Sequence, residues 1–331
     1  MPTVERMGLW DLAVRHVEKA SGGERLGYTG RARSDGREVE RLVRAVLHPS
    51  CRPEAVLVST YWWEKVRNFG DLLTPHLLRD FGIVSVLTPP AEAALIGVGS
   101  LVQHLPPEST AALWATGLIH DAIVDLPGVT TLALRGELTR DRMGSPAVEA
   151  LGDPGILVAD TVRRPGVSHD VGLVLHFRHA EDETLRSMVE SFTGSVRLIR
   201  VDQSPAAVAR EVASCRAIVS TSLHGVITAD SFGIPAACVR MPEALIGGDF
   251  KFRDHETVMR PTRERSADLA DMASLGEIIS LACAADTTAV TRAKDGLRRA
   301  ARRIPEVTPA RRVPTWQVPW MGRGRAVNPY V

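Results

Sequence analysis

The chain of 331 residues is about two ordinary domains long, and its 44% apolar content is enough for a sizeable core in each. Its 40 basic and 39 acidic residues leave a net charge of +1, which gives no global reason to expect a nucleic-acid partner. The four cysteines, Cys51, Cys215, Cys238 and Cys283, lie far apart with no ligand-type spacing, so neither a metal site nor a disulfide framework is expected.

The first residues, Met1-Pro2-Thr3-Val4-Glu5-Arg6, lack the apolar core of a signal peptide, and no apolar run reaches membrane-spanning length. A soluble, cytoplasmic protein with reduced thiols is therefore expected. Residues 1–52 are helix-like and highly charged, broken at Ser21-Gly22-Gly23 and Ser34-Asp35-Gly36, and read as a peripheral extension. From residue 55 the pattern changes. An apolar strand is predicted at 55–61, a helix at 71–81 closed by Gly82, and strands at 94–98, 113–117, 130–134 and 156–159, with a helix at 137–143. This alternation predicts a parallel sheet with crossover helices, forming a first domain over 53–165.

The polar, Pro- and Gly-bearing stretch 161–170 reads as a linker. A second αβ series follows: strands at 171–176, 195–201, 216–221 and 235–239, and helices at 182–192, 205–214 and 226–232, giving a domain over 166–285. Residues 267–303 read as helical, and 286–331 form a basic helix and tail. No short-period internal repeat is visible.

Chemistry-bearing residues gather where strands give way to helices. In Ser222-Leu223-His224-Gly225 a buried strand delivers His224 to a helix mouth, with Gly225 freeing the backbone at a turn and Ser222 placed where a helix cap would stand. Ligands of open α/β sheets bind outside the carboxyl ends of strands, beside helix N-termini that attract anions, so His224 is expected to face an anionic ligand and to do acid/base work. In Asn68-Phe69-Gly70-Asp71, Gly70 permits close backbone approach, and Asp71 reads either as a helix cap or as a contact to a substrate hydroxyl. Arg135, at another strand's carboxyl end, reads either as a solvated arginine or as a bidentate contact to phosphate or carboxylate.

The segment 247–254 reads as a flexible loop in which Lys251 and Arg253 are either solvated or supply positive charge to a doubly anionic substrate. Gly97-Val98-Gly99 starts like a dinucleotide fingerprint, but position 102 is Val and the third glycine is missing, so nicotinamide binding is rejected. The run of arginines after residue 291, followed by Trp316 and Trp320, reads as a solvated helix face with a loose tail, or as a contact with an anionic membrane surface.

In their order along the chain these motifs resemble the polysaccharide pyruvyl transferase family. The succession runs from Asn68-Phe69-Gly70-Asp71 through Gly97-Val98-Gly99-Ser100, Trp114-Ala115-Thr116-Gly117, Leu134-Arg135-Gly136 with Thr139, and Leu151-Gly152-Asp153-Pro154. It ends with Ser222-Leu223-His224-Gly225, Gly233-Ile234-Pro235 and Phe250-Lys251-Phe252-Arg253-Asp254. The resemblance implies two Rossmann-like doubly wound domains facing a cleft, as in glycosyltransferase-B proteins. It also implies transfer of pyruvate from phosphoenolpyruvate to a saccharide, lipid-linked or free, as a cyclic ketal, with no cofactor beyond the donor itself.

On that footing His224 is the expected general acid/base, with Arg135, Ser222, Gly225, Lys251 and Arg253 on the donor side and Asn68 and Asp71 on the acceptor side. The chain departs from many members, which have arginine where it has Ser222, so either the missing cation comes from Arg240, Lys251 or Arg253, or donor binding is weaker. A nucleotide-sugar glycosyltransferase of the same architecture and a catalytically silent glycan-binding protein are the alternatives, and the identity of the bound donor discriminates among them.

Overall fold

The computed structural model describes residues 55–242 and 246–312. The extension read at 1–52 and the tail carrying Trp316 and Trp320 lie outside the described residues.

Two parallel sheets with interleaved helices make up the described residues. In the first, β1 (Val56–Tyr61) pairs on one side with β2 (Ile83–Leu87) and on the other with β3 (Leu95–Ile96), followed by β4 (Ala112–Thr116), β5 (Thr130–Leu134) and β6 (Ala150–Leu151), all parallel. In the second, β7 (His169–Val174) pairs with β8 (Val196–Ile199) on one side and with β9 (Cys215–Ser220) on the other, followed by β10 (Ala236–Arg240) and β11 (Ser266–Asp268). The two sheets thus repeat one topology without a sequence repeat. In each, the first strand is the point where strand order reverses, and the crevices of the switch points lie between the carboxyl ends of β1 and β3 and of β7 and β9.

Helix α1 (Leu73–Leu78) follows β1, and α2 (Glu137–Arg142) follows β5. In the second unit α3 (Glu183–Glu190), α4 (Pro205–Ala213) and α5 (Leu223–Phe232) alternate with the strands, and α6 (Phe250–Met259) and α7 (Leu275–Ser280) follow β10. Asp182, Ser204 and Ser274 cap α3, α4 and α7 by accepting backbone N–H groups, and Gly233, at φ +68°, ends α5 in the left-handed conformation that glycine favours. The last helix, α8 (Thr287–Val307), leaves the second sheet and packs against β4, β5 and β6 of the first; its Leu297 carbonyl accepts from the Trp114 indole at 3.1 Å. Beyond it, β12 (Arg311–Arg312) pairs antiparallel with the start of β1.

Several expectations are corrected. Residues 156–159 are not a strand but part of a 3-10 helix, Pro154–Asp160, capped by Asp153 and buried under α1, α5 and α8. A short apolar run reads the same whether it is a buried strand or a buried helix, and here Pro154 and Gly155 decide for the helix. The strand β2 was hidden behind Gly82, and the segment 247–254 is not an open loop, since α6 begins at Phe250. Residues 266–268 form a strand rather than part of a long helix. One apolar core runs through both units, with Leu73, Trp114 and Ile156 in the same cluster as Ile218, Ile227 and Leu297. Burial of such apolar surface is the main force holding the two sheets together.

Candidate active site

The loops after the carboxyl ends of both sheets meet. After β1, the chain turns through Asn68-Phe69-Gly70-Asp71, where Asn68 Oδ1 accepts the Gly70 N–H at 3.1 Å and the Phe69 N–H donates across to the Val201 carbonyl of the second unit at 2.7 Å. The loop is thereby pinned to the connection between β8 and α4. Gly70 lies directly under the His224 imidazole, and a Cβ there would fall well inside contact distance of Nδ1. The Phe69 ring meets the same imidazole edge-on, with centroids 6.3 Å apart. The close approach read into Gly70 is real, and its partner is His224.

His224 sits in the first turn of α5, almost entirely buried. Burial pushes its imidazole down to about 3, with the charges of Lys251, Arg135, His255 and His176 adding to the effect. Asp71 moves the opposite way: burial raises its carboxyl to about 7, against the lowering influence of the Asn68 hydrogen bond and of Lys251. Asp71 makes no cap, because the N-cap of α1 is Leu72, which leaves the carboxylate as a candidate to meet a hydroxyl.

Lys251 enters from α6. Burial and the Arg135 charge lower its ammonium to about 8, while Asp71 acts in the opposite sense. Its charge in turn bears on Asp71, His224 and His176, so Lys251 is the cation at the centre of the group. His176, following β7 at the second switch point, is held at about 4 by burial and by the positive charges of Lys251, His179 and Arg178.

Arg135 departs from the expected open clamp. It is fully buried, with Nε donating to Asp254 Oδ2 at 2.8 Å, Nη1 to Ser100 Oγ at 2.6 Å and Nη2 to the Leu118 carbonyl at 2.6 Å. Its guanidinium holds the floor of the site and projects a field on Lys251 and His224. Asp254 explains how α6 is seated. The first turn of α2 has no side-chain cap of its own, and Asp254 Oδ1 accepts the Thr139 N–H at 2.9 Å while Thr257 Oγ1 accepts the Glu137 N–H at 3.0 Å. Lys251 stands one helical turn before Asp254 on the same face and is delivered with it.

The remaining expected residues are placed as follows. Arg253 falls off that face, mostly exposed and 3.3 Å from Asp249, so the structure does not bring it into the group. Gly225 is helical and not a free turn; its N–H donates to the Ser222 carbonyl at 3.1 Å, and a Cβ there would collide with Ser220 and Val174, which makes close packing its reason. Ser222 occupies the N-cap position but makes no side-chain cap bond, and Arg240 is forked onto Asp268 at 2.8 and 3.1 Å. Gly97 packs against the Thr74 side chain.

Among the described residues no group of three or more His, Cys, Asp or Glu side chains is placed to hold a metal ion, and no helix is long and apolar enough to cross a membrane. Part of the basic charge of α8 is engaged internally: Lys294 and Arg298 pair with Asp160 at 3.5 and 2.6 Å, and Arg303 pairs with Glu149.

Reading the sequence passed over Asp153, His176 and an aromatic group beside Asp71. In that group Tyr61 and Trp63 lie 6.1 and 5.5 Å from the His104 ring, Lys65 sits over Trp63 at 5.1 Å, and burial followed by the Asp71 charge raises the Tyr61 phenol. The rule that ligands gather at switch points would have found His176, which follows the first strand of the second series. Asp153 lay within the Leu151-Gly152-Asp153-Pro154 motif without a role.

Residues 126–241, which carry Arg135, Asp153, His176, Ser222 and His224, match the family model for polysaccharide pyruvyl transferase. This stretch is similar to polysaccharide pyruvyl transferases. Curated relatives of the chain include the succinoglycan biosynthesis protein ExoV of Rhizobium meliloti (strain 1021), 26% identical over 207 residues, covering 60% of this chain and 63% of that protein. An uncharacterized protein, L143, of Acanthamoeba polyphaga mimivirus is 33% identical over 120 residues, covering 35% of this chain and 42% of its own length. The chain thus spans less than two thirds of either relative. The matched stretch supplies His224 and the second switch point, while Asp71 and Lys251 come from the segments that flank the match.

Proposed function

We propose that the protein transfers pyruvate from phosphoenolpyruvate to a sugar of a cell-surface polysaccharide or its precursor, forming a cyclic ketal and releasing phosphate. The observation that carries this reading is the meeting of His224, Lys251 and Asp71 at the paired switch points of a chain that includes a stretch similar to polysaccharide pyruvyl transferases. The donor is an enol bearing a phosphate and a carboxylate. Lys251, with the uncommitted Ser222 hydroxyl at the mouth of α5 and the Arg135 field behind them, offers the positive potential that such a dianion needs.

The chemistry needs two proton-handling groups. Delivery of a proton to the donor methylene makes the adjacent carbon electrophilic, and a sugar hydroxyl adds to it, losing its own proton. The carbon–oxygen bond to phosphate then breaks, and a second hydroxyl closes the ketal. His224 serves the donor and Asp71 the acceptor, two groups whose surroundings drive their proton affinities apart. Tyr61, Trp63 and His104 flank Asp71 with ring faces suited to the apolar side of a sugar. The work is done in the cytoplasm on a lipid-linked or free saccharide, and the basic C-terminal region offers peripheral contact with an anionic membrane surface.

Calorimetric titration with phosphoenolpyruvate, beside a panel of nucleotide sugars, tests the reading. Selective binding of phosphoenolpyruvate, weakened in Lys251→Met, supports it. Binding of a nucleotide sugar instead moves the protein to the glycosyltransferases, and binding of neither in the presence of acceptor glycans points to a silent glycan-binding protein.

A further inference from the structure

Among the described residues, the buried interior behind the site holds three fully buried carboxylates, Asp153, Asp230 and Asp254, but two fully buried guanidiniums, Arg135 and Arg265. Arg135 answers Asp254 at 2.8 Å, and Arg265 forks onto Asp230 at 2.6 and 2.8 Å. Asp153 has no guanidinium of its own. Its Oδ1 accepts the Gly155 N–H at 2.8 Å, while its Oδ2 is buried without a hydrogen bond.

Facing that oxygen at 4.0 Å is Nε2 of His224, which is also buried without a hydrogen bond. Leaving either buried group unpaired is unfavourable, and an approach of about 1 Å brings the two into ordinary hydrogen-bond range. The ring has little freedom to look elsewhere, since Phe69 stands at its edge and Gly70 lies under Nδ1. The other charged or titratable groups bearing on the pair are Lys251 and His255 from α6, Arg135 after β5, His176 after β7, and Asp254. His255 has its Nε2 committed to Asp230 at 2.9 Å.

We propose that Asp153 is the positioning residue of His224: its carboxylate takes the Nε2–H, fixes that tautomer, and leaves Nδ1 as the nitrogen that exchanges a proton with the donor. The catalytic part of this rests on the pyruvyl-transfer reading, whereas the tautomer does not. With Nε2 protonated, Nδ1 carries the lone pair, accepts a proton when the donor's negative charge arrives, and hands it to the methylene carbon. Asp153 stabilises the imidazolium in the interval without itself taking the proton.

The test is nitrogen NMR of protein labelled with nitrogen-15 in histidine, the His224 signals being assigned by their loss in His224→Gln. The expected wild-type result is the Nε2–H tautomer, and Asp153→Asn, whose amide keeps the shape and the Gly155 contact, loses that preference. In phosphate-release assays Asp153→Asn lowers kcat by about 10²–10⁴-fold with an altered pH profile, while phosphoenolpyruvate affinity changes little. An Nδ1–H tautomer in the wild type, or an unchanged tautomer in a folded Asp153→Asn, overturns the proposal. The wild-type spectrum decides it even if the variant does not fold. If the tautomer is as expected and phosphoenolpyruvate does not bind, the donor assignment fails and the pairing stands.

Discussion

Arg135, at the end of a strand in the first sheet, donates its Nε–H to Asp254, on a helix of the second unit, at 2.8 Å with neither side chain exposed. Removing one partner of a buried ion pair strands the other charge, which costs about 3–5 kcal/mol. Asp254→Ala is therefore expected to lower the denaturant midpoint strongly, and the same change withdraws the acceptor for Thr139 at the start of α2. Asp121→Ala, which breaks the exposed pair with Arg142, is expected to leave the midpoint almost where it was.

His224→Gln removes the proton-handling imidazole and keeps most of its volume. Turnover should fall by about 10²–10⁴-fold while calorimetric affinity for phosphoenolpyruvate changes little. Near wild-type turnover in a folded variant would end the acid/base role.

His224 is neutral near neutral pH, because burial, Lys251 and Arg135 together hold it at about 3. A bound dianion offsets the two cations and raises the proton affinity of the ring. Donor binding near neutral pH should accordingly take up protons, seen as a dependence of the calorimetric enthalpy on the ionisation enthalpy of the buffer. His224→Gln should reduce that uptake.

Lys251, lowered to about 8, is charged below that pH and neutral above it. Donor affinity should decline as pH rises through about 8, and Lys251→Met should weaken binding and flatten that limb of the profile. Arg253→Ala, a change on the outer face of the same helix, should do neither. An unchanged alkaline limb in Lys251→Met would remove Lys251 from the donor site.

Trp63→Ala removes a ring from the aromatic group beside Asp71. The expected result is a higher KM for the acceptor with the donor KM and kcat close to unchanged. An effect on donor KM alone would place the donor on this side.

Much of this is legible in the sequence. The paired αβ series and the helix mouth at His224 follow from periodicity and punctuation, because buried parallel strands and glycine-terminated helices leave strong local patterns. Gly70 signalled a close approach, although nothing local could say that His224 was what approached. The misread residues share one trait, namely that their meaning is set by partners far along the chain. Arg135 looks like a free clamp until Asp254, Ser100 and Leu118 occupy its donors. Asp153 looks like a turn residue until His224 is placed opposite it, and Lys251 and Arg253 look equivalent until α6 turns one inward and the other to solvent.

The return of α8 to the first sheet bears on how the protein is made. The first sheet is translated early, yet Trp114 waits for Leu297, the opening turn of α2 waits for Asp254 and Thr257, and the edge of β1 waits for residues 311–312. A nascent chain that has completed only that sheet lacks the helix that packs against its β4, β5 and β6. The second unit can close on itself sooner, so the half that is synthesised first is the half that is finished last.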